Sequence, residues 1–323
     1  MKTKNFSNLK QIAIRILKLL GILILISVLY AGYFVYPFLK KNTVILRMSG
    51  GLGNQLFQYS AAYAFAKKTN SKLYILFSKR YQKTTNKTST DRYFDLYKFG
   101  IKKEQIIYGS GIERSILKIL SFPLVQDKFF VIKENNFFSF SNDSKNKKIY
   151  LIEHWFQDIK HFINEENEIK ELFNVHNLAS SRTSELVKKL QQKNSVCIHV
   201  RLGDWVKAFG ELDNNYYNDA VKIIEDKIKD PRFYVFSDEP EIAKEKFKDF
   251  KDFNYMNNKN LLPIDDFFLL ANCTNTINSA STFNWWSSFL NSNPEKVVIA
   301  PIDHNSNPKG WIGLQYKINP PKK

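Results

Sequence analysis

A hexapeptide and the glycine turn behind it constrain this chain more than any other feature. The run TVILRM (Thr43–Met48) ends in Gly50, Gly51 and Gly53, and Phe57, Ala61, Ala64 and Phe65 then recur at helical spacing. A short apolar run without alternation is the pattern of a strand covered on both faces, the habit of parallel sheets. Parallel strands need a crossover, and here a helix supplies it before Asn70 and Ser71 break the pattern and KLYILF (Lys72–Phe77) opens the next strand. The second half repeats this alternation. SVCIHV (Ser195–Val200) reads as a strand, 216–228 as an amphipathic helix and 232–239 as a strand. Pro240 then opens a helix, 265–273 is helical, 276–279 extended, Thr282–Leu290 helical and 296–301 extended. Two such runs predict an α/β protein of two doubly wound domains facing a cleft, with ligands at the carboxyl ends of the strands. The boundaries fall at 41–190 and 191–323.

The apolar content, 44% of 323 residues, is enough for two cores. Net charge is +17, but the lysines are scattered along the whole chain, so nucleic acid is not an expected partner. Residues 19–39 carry no charge and are long enough to cross a bilayer, so residues 1–40 read as a cytoplasmic tail and single-pass membrane anchor. Lys2, Lys4, Lys10, Arg15 and Lys18 lie before the span, against Lys40, Lys41 and Arg47 after it, which puts the remainder of the chain outside the cytoplasm. A Golgi-type lumen and a bacterial inner membrane both remain open. Cys197 and Cys273 lie in apolar surroundings without metal-ligand spacing and read as buried thiols. The polar stretches 78–93 and 142–148 read as a surface loop or lid and an exposed turn.

Three segments carry chemistry. In GGLGNQLFQ the glycines let main-chain N–H groups approach a ligand at a helix start, where an anion is favoured. In HVRLGD, His199 and Arg201 alternate on one face of a strand end; an arginine fork there suits a pyrophosphate, against the plainer reading of an Arg201–Asp204 ion pair. His199 is a core histidine, a general base or an orienting donor, the last being favoured. In STFNWW, Ser281 and Thr282 sit at a helix start able to receive phosphate, Phe283 can stack on a base, and Trp285 and Trp286 read as core. Ser237 and Asp238 end a strand and reach for a base or ribose, or else cap the helix at Pro240. No D-x-D occurs, so metal-independent chemistry without a cofactor is expected.

Together, in this order and over about residues 44–290, these segments resemble the α-1,2-fucosyltransferase family (glycosyltransferase family 11-like), whose G-G-L-G-N-Q, H-x-R-R-x-D, F-S-D and S-T-F-x-W-W segments they match. HWFQDIKHF (154–162) is similar to its Y-F-Q-x-x-x-Y-F stretch. The resemblance implies a GT-B fold of two Rossmann-like domains and inverting transfer of L-fucose from GDP-fucose to the 2-hydroxyl of a galactose-terminated glycan. It also implies Arg201 at the diphosphate and Asn54 near the transferred sugar. Gly51, Gly53, His199, Ser237, Asp238, Ser281, Thr282 and Phe283 would line the donor site, with Asp204, Glu153 and His154 as candidate bases. Leu202 stands where the family has a second arginine, and Asn275 and Ala280 where many members have His and Asn. Competing readings are a fucosyltransferase of α-1,6 or protein linkage, and a non-catalytic membrane-tethered glycan-binding protein.

Overall fold

The computed structural model describes residues 15–16, 18–22, 42–77, 93–102, 106–108, 129–140, 148–203, 206, 210–250, 252–256, 261–302 and 307–320. In chain order these form β1 (Thr43–Met48), α1 (Leu52–Lys68), β2 (Lys72–Phe77), β3 (Ile106–Tyr108), β4 (Phe129–Ile132), β5 (Ile149–Ile152), α2 (Glu166–Leu172) and α3 (Ser184–Leu190). The second half comprises β6 (Ser195–Val200), β7 (Glu211–Leu212), α4 (Asn214–Lys227), β8 (Arg232–Ser237), α5 (Pro240–Lys246), β9 (Phe253–Tyr255), α6 (Pro263–Ala271), β10 (Asn275–Ile277), α7 (Thr282–Leu290), β11 (Val298–Pro301), β12 (Ile312–Leu314) and β13 (Ile318–Asn319).

Both large sheets are parallel throughout. The first runs β3-β2-β1-β5-β4 and the second β12-β11-β10-β6-β8-β9, while β13 and β7 make a small antiparallel ribbon. Within each sheet the first strand is central and the order reverses beside it, between β1 and β5 and between β6 and β10. Such reversals leave a crevice outside the carboxyl ends of the strands. β1, β5 and β6 are buried nearly end to end, as unalternating apolar runs require.

The helices do not divide as cleanly as the sheets. α1 is buried on nearly all sides because the first sheet covers one face and α7, from the second half, covers another. Phe57 meets Trp285 at 4.6 Å and Trp286 at 5.2 Å between ring centroids, and Phe162 stacks on Trp286 at 5.4 Å. α6 and α7 thus share one core cluster with β1, β2 and β5, and the two tryptophans are core, as expected. Arg182 forks onto the buried carboxylate of Asp265, holding 180–183 to α6 at 2.9 and 3.0 Å.

Cys197 and Cys273, read as free thiols, are joined in a disulfide, with Cα atoms 6.1 Å apart. β6 and the turn after α6 bring them together inside one apolar cluster, across 76 residues of chain. The membrane span assigned to 19–39 lies mostly outside the described residues, and so does the loop 78–92; only residues 15–16 and 18–22 of the N-terminal region are described, helical and exposed. No helix among the described residues is long and apolar enough to cross a membrane.

Candidate functional site

The glycine turn after β1 is held from behind by its own helix. Buried Gln58 accepts the Ser49 N–H at 2.9 Å, and buried Gln55 donates to the Gly50 carbonyl at 3.0 Å and to the Tyr93 carbonyl at 2.6 Å. The two glutamines of GGLGNQLFQ are therefore struts. Gly50 lies at φ +82°, where only glycine is unstrained, and Gly51 is the N-cap of α1 without any side-chain cap. At Gly53 the constraint is space: a Cβ there would stand 2.4 Å from the Thr282 carbonyl carbon. The first turn of α1 thus lies directly against the first turn of α7.

α7 begins just past β10. The turn between them is tied by Ser288 donating to Asn278 Oδ1 at 2.8 Å, Ser279 N–H donating to Asn284 Oδ1 at 3.0 Å and the Tyr216 hydroxyl donating to the Asn278 carbonyl. Ser281 is the N-cap and forms no side-chain cap, and neither α1 nor α7 has an acidic residue in its first turn. Two helix N-termini, each equivalent to roughly half a positive charge, therefore converge without a carboxylate in either first turn. Such a pairing of helix starts is able to attract an anion. Asn54 joins the two sides, its Oδ1 accepting from Thr282 Oγ1 and from Gln157 Nε2, both at 2.9 Å.

His199 and Arg201 part company, because β6 ends at Val200 and Arg201 is already in the exit turn. His199 is buried toward β10, its Nδ1 2.7 Å from Ser279 Oγ and its ring 6.0 Å from Phe283. Burial pushes its pKa down to about 4; nearby Asp238 opposes the shift and Arg201 adds to it. Its ring is therefore neutral at neutral pH. Arg201 donates to Asp238 Oδ2 at 2.5 Å; Asp204, the partner expected from the sequence, lies outside the described residues. Asp238 also accepts the N–H groups of Leu202 at 2.8 Å and Gly203 at 3.0 Å. It organises the HVRLG turn instead of capping α5, whose N-cap is Glu239; Ser237 Oγ only accepts the Glu239 N–H at 3.1 Å.

Leu202, at the family's second arginine, is buried in the core of the second sheet. Asn275 lies at the opposite end of β10, where its side chain accepts from Val297 N–H and donates to the Ser195 carbonyl, each at 3.0 Å. Glu153 pairs with Arg47 at 3.3 Å and His154 with Glu134 at 2.9 Å, both beyond the end of β5. The structure thus brings Gly51, Gly53, Asn54, Ser281, Thr282, Phe283 and His199 into one continuous group, with Arg201, Ser237 and Asp238 on its β8 side. The sequence reading missed Ser279 and Gln157, whose roles exist only through partners far away in the chain. It also missed Asp266, half-buried in the first turn of α6, whose carboxyl burial pushes up to about 7 with help from Asp265.

Fold and site define a doubly wound α/β protein in which two helix N-termini meet beyond the carboxyl ends of two parallel sheets. The chain belongs to glycosyl transferase family 11, whose family model matches residues 22–310. It is 30% identical to the O-antigen biosynthesis glycosyltransferase WbnK of Escherichia coli over 79% of this chain and 92% of that protein. It is 29% identical to an α-1,2-colitosyltransferase of Escherichia coli, over 80% and 91% respectively. Among solved structures it is similar to the fucosyltransferase NodZ from Bradyrhizobium, at 16% identity and a TM-score of 0.47, covering 87% of this chain and 100% of that one.

Proposed function

We propose that this protein is an inverting α-1,2-fucosyltransferase with a GT-B arrangement, 41–190 holding the acceptor and 191–323 the GDP-fucose. The observation that carries this reading is the convergence of the α1 and α7 N-termini with Arg201 nearby. Charge grows on the departing diphosphate as the glycosidic bond to fucose breaks, and fixed donors aimed there stabilise the transition state more than the ground state. The donors are protein groups, so transfer proceeds without a divalent ion, and chelation leaves the rate unchanged. Asn54 lies at the sugar end, and Phe283, beside His199, at the base end. The acceptor hydroxyl attacks from the face opposite GDP, with Glu153, His154 or Asp204 taking its proton. The name of the colitosyltransferase relative supports the α-1,2 linkage and also favours a second reading, in which the donor carries a deoxy analogue of fucose.

We further propose that residues 19–39 tether the enzyme to a membrane and that the Cys197–Cys273 disulfide suits a catalytic part outside the cytoplasm. Incubation with GDP-fucose, its deoxy analogue and galactose-terminated acceptors, with linkage analysis of the product, tests donor and linkage together. Arg201→Ala is expected to keep its fold and to lose roughly 100- to 1,000-fold in kcat together with GDP affinity. Undiminished transfer and GDP binding in that variant would overturn the donor assignment.

A further inference from the structure

We infer that the indole of Trp155 is the platform on which the acceptor sugar lies, with Gln157 and Asn54 reading its hydroxyls; this rests on the transferase function proposed above. Trp285 and Trp286 are buried, whereas Trp155 is 45% exposed and sits just past the carboxyl end of β5, at the reversal of strand order in the first sheet. It is held there by its neighbours. Phe156 is fully buried and kept at φ +53°, a conformation a bulky side chain adopts only under constraint. The constraint is visible: the Phe156 N–H donates to Glu134 Oε1 at 2.6 Å, and its ring packs on Phe137 at 5.5 Å and His161 at 5.2 Å. This backbone reversal turns Trp155 back over the glycine turn, where a Cβ on Gly50 would stand 3.1 Å from Trp155 Cζ3.

Two residues on, Gln157 donates one amide N–H to Asn54 Oδ1. Gln157 Oε1 and Asn54 Nδ2 have no partner among the described residues, which leaves one acceptor and one donor side by side, next to an aromatic ring. The chemistry this group suits is a pyranose with an apolar face. Galactose qualifies: its axial 4-hydroxyl leaves the hydrogens on C3, C4 and C5 together on one face, whereas glucose has no such patch. Because Asn54 also accepts from Thr282, a hydroxyl read by this pair lies on the path toward the anion end of the site.

The test uses the purified full chain and its Trp155→Ala, Trp155→Tyr and Gln157→Ala variants. Acceptor KM is measured with galactose- and glucose-terminated acceptors, and GDP affinity by calorimetry. Trp155→Ala is expected to raise the KM for the galactose acceptor by roughly 10- to 100-fold and to erase the preference over glucose, with GDP affinity within about twofold of wild type. Trp155→Tyr keeps an aromatic face and restores most of the loss. An unchanged acceptor KM, or acceptor KM and GDP affinity failing together in all three variants, overturns the inference. If the wild type binds GDP but transfers nothing, saturation-transfer NMR with a free β-galactoside tests the platform separately: contact at H3, H4 and H5 that vanishes in Trp155→Ala upholds it, and no contact in the wild type ends it.

Discussion

His199 meets almost no water, and the fold pays for that as pH falls. Its folded pKa, held down to about 4 chiefly by burial, lies below the ordinary value near 6.5 of an exposed imidazole. As pH drops through that window the unfolded chain takes up a proton that the folded chain refuses. Stability that is complete above about pH 6.5 is therefore lost toward about pH 4. Urea midpoints at pH 7 and pH 4.5 are expected to fall further apart in the wild type than in His199→Gln, which can still bond Ser279 but does not titrate. Equal pH dependence in both proteins would remove His199 from the account. The histidine and its arginine neighbour were legible in the sequence as chemistry-bearing residues at a strand end. Their partners were not: Ser279 and Asp238 are 80 and 37 residues away, and no spacing rule connects them.

At the scale of elements, the junction between α1 and α7 is the part least tolerant of change. Gly53→Ala must push α7 away, because the obstacle is the Thr282 backbone and not a side chain that can rotate. Overpacking of this kind costs about 1–3 kcal/mol. The same shift pulls the two helix N-termini apart, so GDP affinity falls along with the unfolding midpoint. Gly100→Ala is the control: its φ of +84° strains an alanine, but nothing lies within 4 Å, so stability drops modestly and GDP binding holds. A Gly53→Ala protein that binds GDP like wild type would argue against a shared anion site. The helix start at Thr282 was readable from its apolar spacing, and the strand ends from their glycines and serines. That α1 would be covered on both sides was foreshadowed only by its small residues, Ala61, Ala62, Ala64 and Ala66, since a helix pattern reports how much is buried but not by what.

For the whole molecule, the disulfide is the covalent clamp, closing a loop between residues 76 apart from within the core of the second half. Loop closure of that length contributes about 4 kcal/mol in the chain-entropy account. Reduction under mild denaturant is thus expected to lower the unfolding midpoint clearly in the wild type and not at all in a Cys197→Ser, Cys273→Ser protein. A midpoint insensitive to reductant would show the pair contributes little. What the sequence by itself determined is the parallel α/β class, the positions of most strands and helices and the three segments that meet at the candidate site, because periodicity and turn residues act over a few neighbours. Only the tertiary structure decided that Asn54 and Thr282, 228 residues apart, share one hydrogen bond, that α6 and α7 belong to the first half's core, and that two cysteines meet. Those outcomes depend on which buried faces find each other, a choice made by packing across the whole chain and written in no local pattern.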